Sequence, residues 1–150
     1  MEHVINRLKT IQMVDLMVVI NSADENTGFL GVNEYMGMGY IKSYLDYKGI
    51  STNIKILQSR KIDQVDQLFP QPPNFIGLGM YSDNVQQVIE AAQRLRALYP
   101  TVWIVVGGPQ VNRFEEQILK DNICVDMVLS YEAEETYWDI ITRLNYGKSL

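Results

Sequence analysis

The eight residues VVGGPQVN, 105–112, decide how this chain reads. An apolar run, Val102 to Val106, stops abruptly at two glycines and a proline. Adjacent glycines forfeit side-chain packing and cost backbone entropy, so a chain keeps them where it must turn sharply or where something must come close. A bare turn and a ligand are the two candidates.

Outward from this stretch, five short runs have the unbroken apolar character of strands buried on both faces: Leu16–Ile20, Ile54–Leu57, Phe75–Met80, Val102–Val106 and Val125–Leu129. Helical patterns separate them. Met36, Tyr40, Ile41, Tyr44 and Leu45 share one helical face that ends at Lys48-Gly49. Val85, Val88, Ile89, Ala92 and Leu95 form a second, capped by Ser82 or Asp83 and closed before Pro100. Phe114, Ile118 and Leu119 mark a shorter helix, and Tyr137, Trp138, Ile141 and Leu144 mark the last, with Gly147 past its end. Lys61–Leu68 reads as a short helix and Pro70–Pro73 as an extended connector. Strands alternating with helices at this spacing predict βαβ units, hence an α/β fold: a doubly wound, five-stranded parallel sheet of flavodoxin-like or Rossmann-like type. Residues 1–150 are expected to form one domain, with 1–13 as an N-terminal extension.

Composition narrows the function. The chain is 47% apolar with a formal charge of −5, and no basic cluster exceeds Arg60-Lys61, so neither nucleic acid nor a membrane surface is an expected partner. The longest apolar stretches fall far short of a membrane span, and Met1–Asp15 has no signal-peptide core, so a cytoplasmic protein is expected. The one cysteine, Cys124, excludes an internal disulfide and a Cys-based zinc or iron-sulfur site held by this chain alone. His3 is the only histidine and stands near the chain start, which argues against a histidine-based triad or general base. No metal ligand set is expected.

In an open sheet of this kind ligands bind outside the carboxyl ends of the strands. That rule selects the loops 21–34, 80–84, 107–112 and 130–134. The first is long for a βα connection, which points to binding. Gly77 and Gly79 stand two residues apart and so lie on one face of their strand, either because a helix packs unusually close or because a flat ligand slides along the backbone. Gly107 and Gly108 would extend that floor onto the neighbouring strand. Glu132, Glu134 and Glu135 read as charges favouring the dipole of the last helix.

Four segments, YMGMGYIKSYLDYKG, IGLGMYSDN, VVGGPQVN and VDMVLSYEAEE, resemble in order and spacing the cobalamin-binding domain at the amino end of cobalamin-dependent radical SAM enzymes, over roughly residues 14–146. The resemblance implies that the nucleotide tail of cobalamin drops into the crevice along Gly79, Tyr81 and Ser82 on one side and Gly107, Gly108 and Pro109 on the other. It implies further that Tyr131 and Glu132 approach the tail or corrin edge, and that Thr27, Gly28 and Phe29 lie beneath the corrin ring, with Asn112 as a further polar contact. With no histidine in the first loop, the cofactor would be bound histidine-off. The family's iron-sulfur cluster and S-adenosylmethionine (SAM) belong to a catalytic barrel with three cysteines, so they would sit in a missing or partner domain. Such a module positions the corrin for methyl transfer from SAM and is not catalytic alone.

The chain departs from the family pattern at Tyr35, Gln110, Tyr131 and Ala133, the last two replacing both glycines of a Gly-Glu-Gly-Glu ending. Two other readings stand beside this one. A degenerate domain could keep the fold, bind no corrin and serve as a docking or peptide-recognition module. A flavodoxin-like or receiver-like signalling domain would need a phosphate loop or an aspartate where Met80 and Tyr81 stand.

Overall fold

Every pairing in the main sheet is parallel, as crossovers through helices require. The structure, a computed structural model, describes residues 11–17, 19–20, 31–32, 37–148 and 150. In chain order the elements are β1 (Ile11–Met17), β2 (Val19–Ile20), β3 (Gly31–Val32), α1 (Gly37–Tyr47), β4 (Asn53–Gln58), a 3-10 segment (Ser59–Leu68), β5 (Phe75–Gly79) and α2 (Val85–Leu98). There follow β6 (Trp103–Gly107), a 3-10 turn (Pro109–Val111), α3 (Glu115–Asp121), β7 (Met127–Leu129) and α4 (Glu134–Tyr146). The chain is thus mixed α/β on a parallel sheet, with strands in the order β4-β1-β5-β6-β7. No helix of the described residues is long and apolar enough to cross a membrane.

Side chains alternate along the central strands and divide the core into two layers. Ile76, Leu78, Ile104 and Val106 face α2 and the 3-10 segment, where Val65, Val88, Ala92 and Leu95 are buried. Phe75 and Val105 face α1 and α4, meeting Leu45, Tyr137, Ile140 and Ile141. Each fully buried Leu, Ile or Phe among these contributes roughly 1.5–3 kcal/mol relative to exposure.

The first strand corrects the sequence expectation. It runs from Ile11 to Met17 instead of Leu16 to Ile20, in register with β4 from Gln12↔Asn53 to Met17↔Gln58 and with β5 from Ile11↔Phe75 to Val14↔Leu78. Gln12 and Asp15 interrupt its apolar pattern, so the unbroken run next to it was the stronger signal. Ile11–Met13, expected to belong to the N-terminal extension, are strand. Val19–Ile20 leave the main sheet altogether and pair antiparallel with Gly31–Val32, inside the segment expected to be loop.

Helix α1 ends as its sequence requires. Gly49 takes φ 80°, Ile50 N–H donates to Leu45 O at 2.8 Å and Gly49 N–H to Asp46 O at 3.0 Å, a double closure that needs a left-handed residue. Its buried seam, however, runs through Met38 and Leu45, leaving Tyr40 exposed. At the opposite edge of the sheet Arg96 fastens α2 to the starts of β6 and β7. Its guanidinium donates to the carbonyls of Pro100 (2.9 Å), Val102 (2.7 Å) and Cys124 (3.3 Å) and to Asp126 Oδ2 (2.5 Å). Asp126 Oδ2 also accepts the Ile104 N–H at 2.7 Å. A planar fork of donors suits carbonyls that no ladder reaches. Cys124 beside it is buried, and desolvation pushes its thiol above the ordinary value, in keeping with a packed hydrophobe and not a reactive thiolate.

Candidate functional site

Phe75, Gly77 and Gly79 on β5, and Trp103, Val105 and Gly107 on β6, alternate onto the face that carries α1 and α4. Toward the carboxyl tips their side chains disappear, and a cleft of about 730 Å³ opens there between the first turns of α1 and α4. Its floor is Gly79, Gly107 and Gly108; one wall is Gly37, Met38, Tyr40 and Ile41, the other Tyr131 to Glu134 and Tyr137. Tyr81, Pro109 and Asn112 complete it.

Of the residues singled out in the sequence, Gly79, Tyr81, Gly107, Gly108, Pro109, Tyr131, Glu132 and Asn112 all line this one cleft. Ser82 is exposed and does not line it. Thr27, Gly28 and Phe29 lie outside the described residues. Tyr137 was read as helix-face packing, and only the fold reveals that it and Met38 also wall the cleft. Among the described residues no group of three or more His, Cys, Asp or Glu side chains is placed to hold a metal ion.

The glycines have different reasons. A methyl on Gly77 would stand 2.5 Å from the Tyr137 hydroxyl and 3.3 Å from its ring, so α4 does pack unusually close and Gly77 is no part of an open floor. Gly108, at φ 122° and ψ 174°, has the Met80 carbonyl directly against the position its Cβ would occupy, and Met80 N at 3.1 Å. The chain crosses flush over its neighbour here: Met80 N–H donates to Gly107 O at 2.7 Å and Gln110 N–H to Met80 O at 3.3 Å. That glycine serves the turn. Gly107 is limited only by the Leu129 carbonyl at 3.3 Å, and Gly79 by Met38 Cε at 2.9 Å and Tyr81 Cε2 at 3.2 Å. The bare shelf expected over four glycines therefore shrinks to Gly79 and Gly107, with Met38 and Tyr81 leaning over the first.

The loops around the cleft are braced. Asn84, fully buried, accepts the Tyr81 N–H at 2.7 Å and donates to Gly79 O at 3.1 Å. It holds the N-cap position of α2 in place of the expected Ser82 or Asp83, yet its side chain turns back to the strand instead of capping. Asn112 Oδ1 accepts the Tyr131 N–H at 3.2 Å, and Ser130 Oγ donates to Glu115, whose carboxyl this bond chiefly holds below its ordinary value. Glu134 and Glu135 stand in the first turn of α4, where the helix dipole favours them.

Tyr137 sets an alkaline limit on the fold. Its ring meets Phe75 edge-on at 5.9 Å, and burial pushes its hydroxyl well above the ordinary tyrosine range. In the unfolded chain the phenol ionises near pH 10 while the folded one stays neutral, so the unfolded state releases the proton first and stability falls as pH rises past about 10. The loss approaches about 1.4 kcal/mol per pH unit above that point. Urea titrations at pH 9, 10 and 11 should show this slope in the wild type and a shallower one in Tyr137→Phe. Equal slopes would refute the assignment.

No family model matches this chain. A protein of Pyrococcus horikoshii described as an uncharacterized methyltransferase is 24% identical over 119 residues, covering 77% of this chain and 26% of that protein. The chain thus spans about a quarter of the length of this relative. The RcsB response regulator of Salmonella typhimurium, at 11% identity, matches 94% of this chain and 62% of its own with a TM-score of 0.56, a likeness of fold alone.

Proposed function

We propose that this chain is the cobalamin-binding module of a radical SAM enzyme of the methyltransferase class, and that its sheet and helices are the doubly wound, Rossmann-like scaffold of such a domain. The cleft carries the reading. It lies at the carboxyl tips of β5 and β6, is floored by main chain at Gly79 and Gly107, and its 730 Å³ is of the size that ligand sites use. Four motifs in register with the cobalamin-domain pattern support the cofactor, and the methyltransferase relative supports the reaction class.

The residues fit the group. Gly107 leaves its part of the floor open, and the atoms over Gly79 belong to a flexible thioether end and a tyrosine edge, which can move aside. Tyr81, Gly108, Pro109 and Asn112 would hold the nucleotide tail, whereas Ser82, exposed outside the cleft, would not. Tyr131 and Glu132 would border it from the opposite side, and Thr27, Gly28 and Phe29 would approach the corrin from the first loop. When bound, histidine-off, cobalamin supplies a cobalt centre able to carry a methyl group. The chain's own work is to grip the tail, orient the ring and keep water from it. The iron-sulfur cluster and SAM would come from a catalytic domain in the same longer chain or in a partner, in the cytoplasm.

A specific observation favours a second reading. Tyr137 already fills the slot over Gly77, and Glu132 and Glu134 make the rim acidic, which suits a degenerate domain that docks a peptide and binds no corrin. One experiment separates the two. Purified protein is mixed with hydroxocobalamin and desalted; near-stoichiometric corrin absorbance retained with the protein is the expected result. Complete loss of absorbance overturns the cobalamin reading and leaves the docking one.

A further inference from the structure

Tyr131 is an expensive residue in an unusual place. Its φ of 60° lies in the left-handed region, where a Cβ crowds the following carbonyl and glycine suffers no penalty. Bulky residues seldom adopt it. Burial does not offset the strain, because the side chain is 76% exposed. The conformation is imposed by its neighbours: Asn112 accepts the Tyr131 N–H, and Ser130 is tied to Glu115. A strained, over-determined residue beside a cleft is an observation from which function can be inferred.

The cleft supplies the other half. Tyr131 lines it together with Tyr40, itself 58% exposed on α1, and Tyr81. Exposed aromatic faces on a concave wall offer large, rigid contact area to a flat ring at little entropic cost. We infer that Tyr131 is a stacking residue, holding a planar aromatic heterocycle of the ligand at the cleft mouth and setting the site's preference for such a group. The inference rests on the cleft being a ligand site, as proposed above. The heterocycle could be the benzimidazole of a corrinoid tail or the base of a free nucleoside.

The test titrates wild type, Tyr131→Gly and Tyr131→Phe with hydroxocobalamin, with dicyanocobinamide, which lacks the base, and with adenosine. Tyr131→Gly should weaken binding of a base-containing probe about three- to tenfold, the range expected for one lost aromatic stack, while Tyr131→Phe keeps it. Cobinamide affinity should not change. Relief of strain should raise the melting temperature of Tyr131→Gly by about 2 °C, a gain that a merely structural tyrosine would not give. Hydroxocobalamin binding that is equal in wild type and Tyr131→Gly overturns the stacking role while the cobalamin reading stands. Adenosine binding that depends on Tyr131 without any corrin binding overturns the cobalamin reading and leaves the stacking role. No binding of any probe overturns both.

Discussion

Gly108→Ala is expected to lower the stability of the domain by about 3 to 5 kcal/mol, a large share of what a domain of this size usually has. Two costs combine. The backbone at φ 122° and ψ 174° sits in a region essentially reserved for glycine, worth about 1–3 kcal/mol for any other residue. The new methyl would also meet the Met80 carbonyl, which is main chain just past the end of β5 and cannot rotate away. Moving it means breaking the Met80–Gly107 and Gln110–Met80 hydrogen bonds, and overpacking of this kind costs a further 1–3 kcal/mol or so. Gly107→Ala, with a single contact at 3.3 Å and no positive φ, should lose only about 1 kcal/mol. Gly39→Ala, inside α1 with nothing within 4 Å, should gain about 0.5–1 kcal/mol. Urea midpoints of the three variants should rank in that order. If Gly108→Ala falls no further than Gly107→Ala, the account of the turn is wrong.

These three glycines also show what a sequence can and cannot disclose. That Gly107-Gly108 marked a place of close approach was legible, because a strand pattern ending in two glycines has few other uses. Which atoms approach was not: Met80 lies 28 positions away in the chain, and Tyr137 lies 60 positions from Gly77, so no periodicity links them. The same distinction runs through the fold. β5 and β6 were legible because burial on both faces makes a strand uniformly apolar, whereas β1 carries Gln12 and Asp15 and was displaced onto its neighbour. The position of the cleft was legible from the rule that ligands seek carboxyl tips of parallel strands, since the loops it selected contribute Tyr81, Gly107 to Pro109, Tyr131 and Glu132 to one cleft, with Gly79 beside them. It could not place Ser82, since a turn of one residue more or less decides whether a hydroxyl faces a cleft or solvent.

Asn84 was the residue hidden most completely, because an asparagine ahead of an amphipathic helix looks like any N-cap. Its side chain instead satisfies the Tyr81 N–H and the Gly79 carbonyl just where β5 runs out of ladder partners, and it does so with no exposure to water. Asn84→Leu would fill the same space and leave both backbone groups unpaired, each at a cost of about 1–3 kcal/mol. A total loss near 2 to 4 kcal/mol is expected, equivalent to a fall of roughly 4–15 °C in melting temperature for a chain of this length. Asn84→Asp separates the two bonds, since a carboxylate still accepts from Tyr81 but cannot donate to Gly79, and the buried charge adds its own penalty. Amide exchange gives the decisive readout. In Asn84→Leu the Tyr81 N–H should lose protection far more than the Val88 N–H, whose bond to the Asn84 carbonyl is main chain and survives the substitution. Uniform loss across both would mean that Asn84 supports the helix and not the loop. Selective loss would show that one buried amide holds Tyr81 over the cleft floor, and, under the function proposed above, retention of hydroxocobalamin should then fall in step with the exposure of that single N–H.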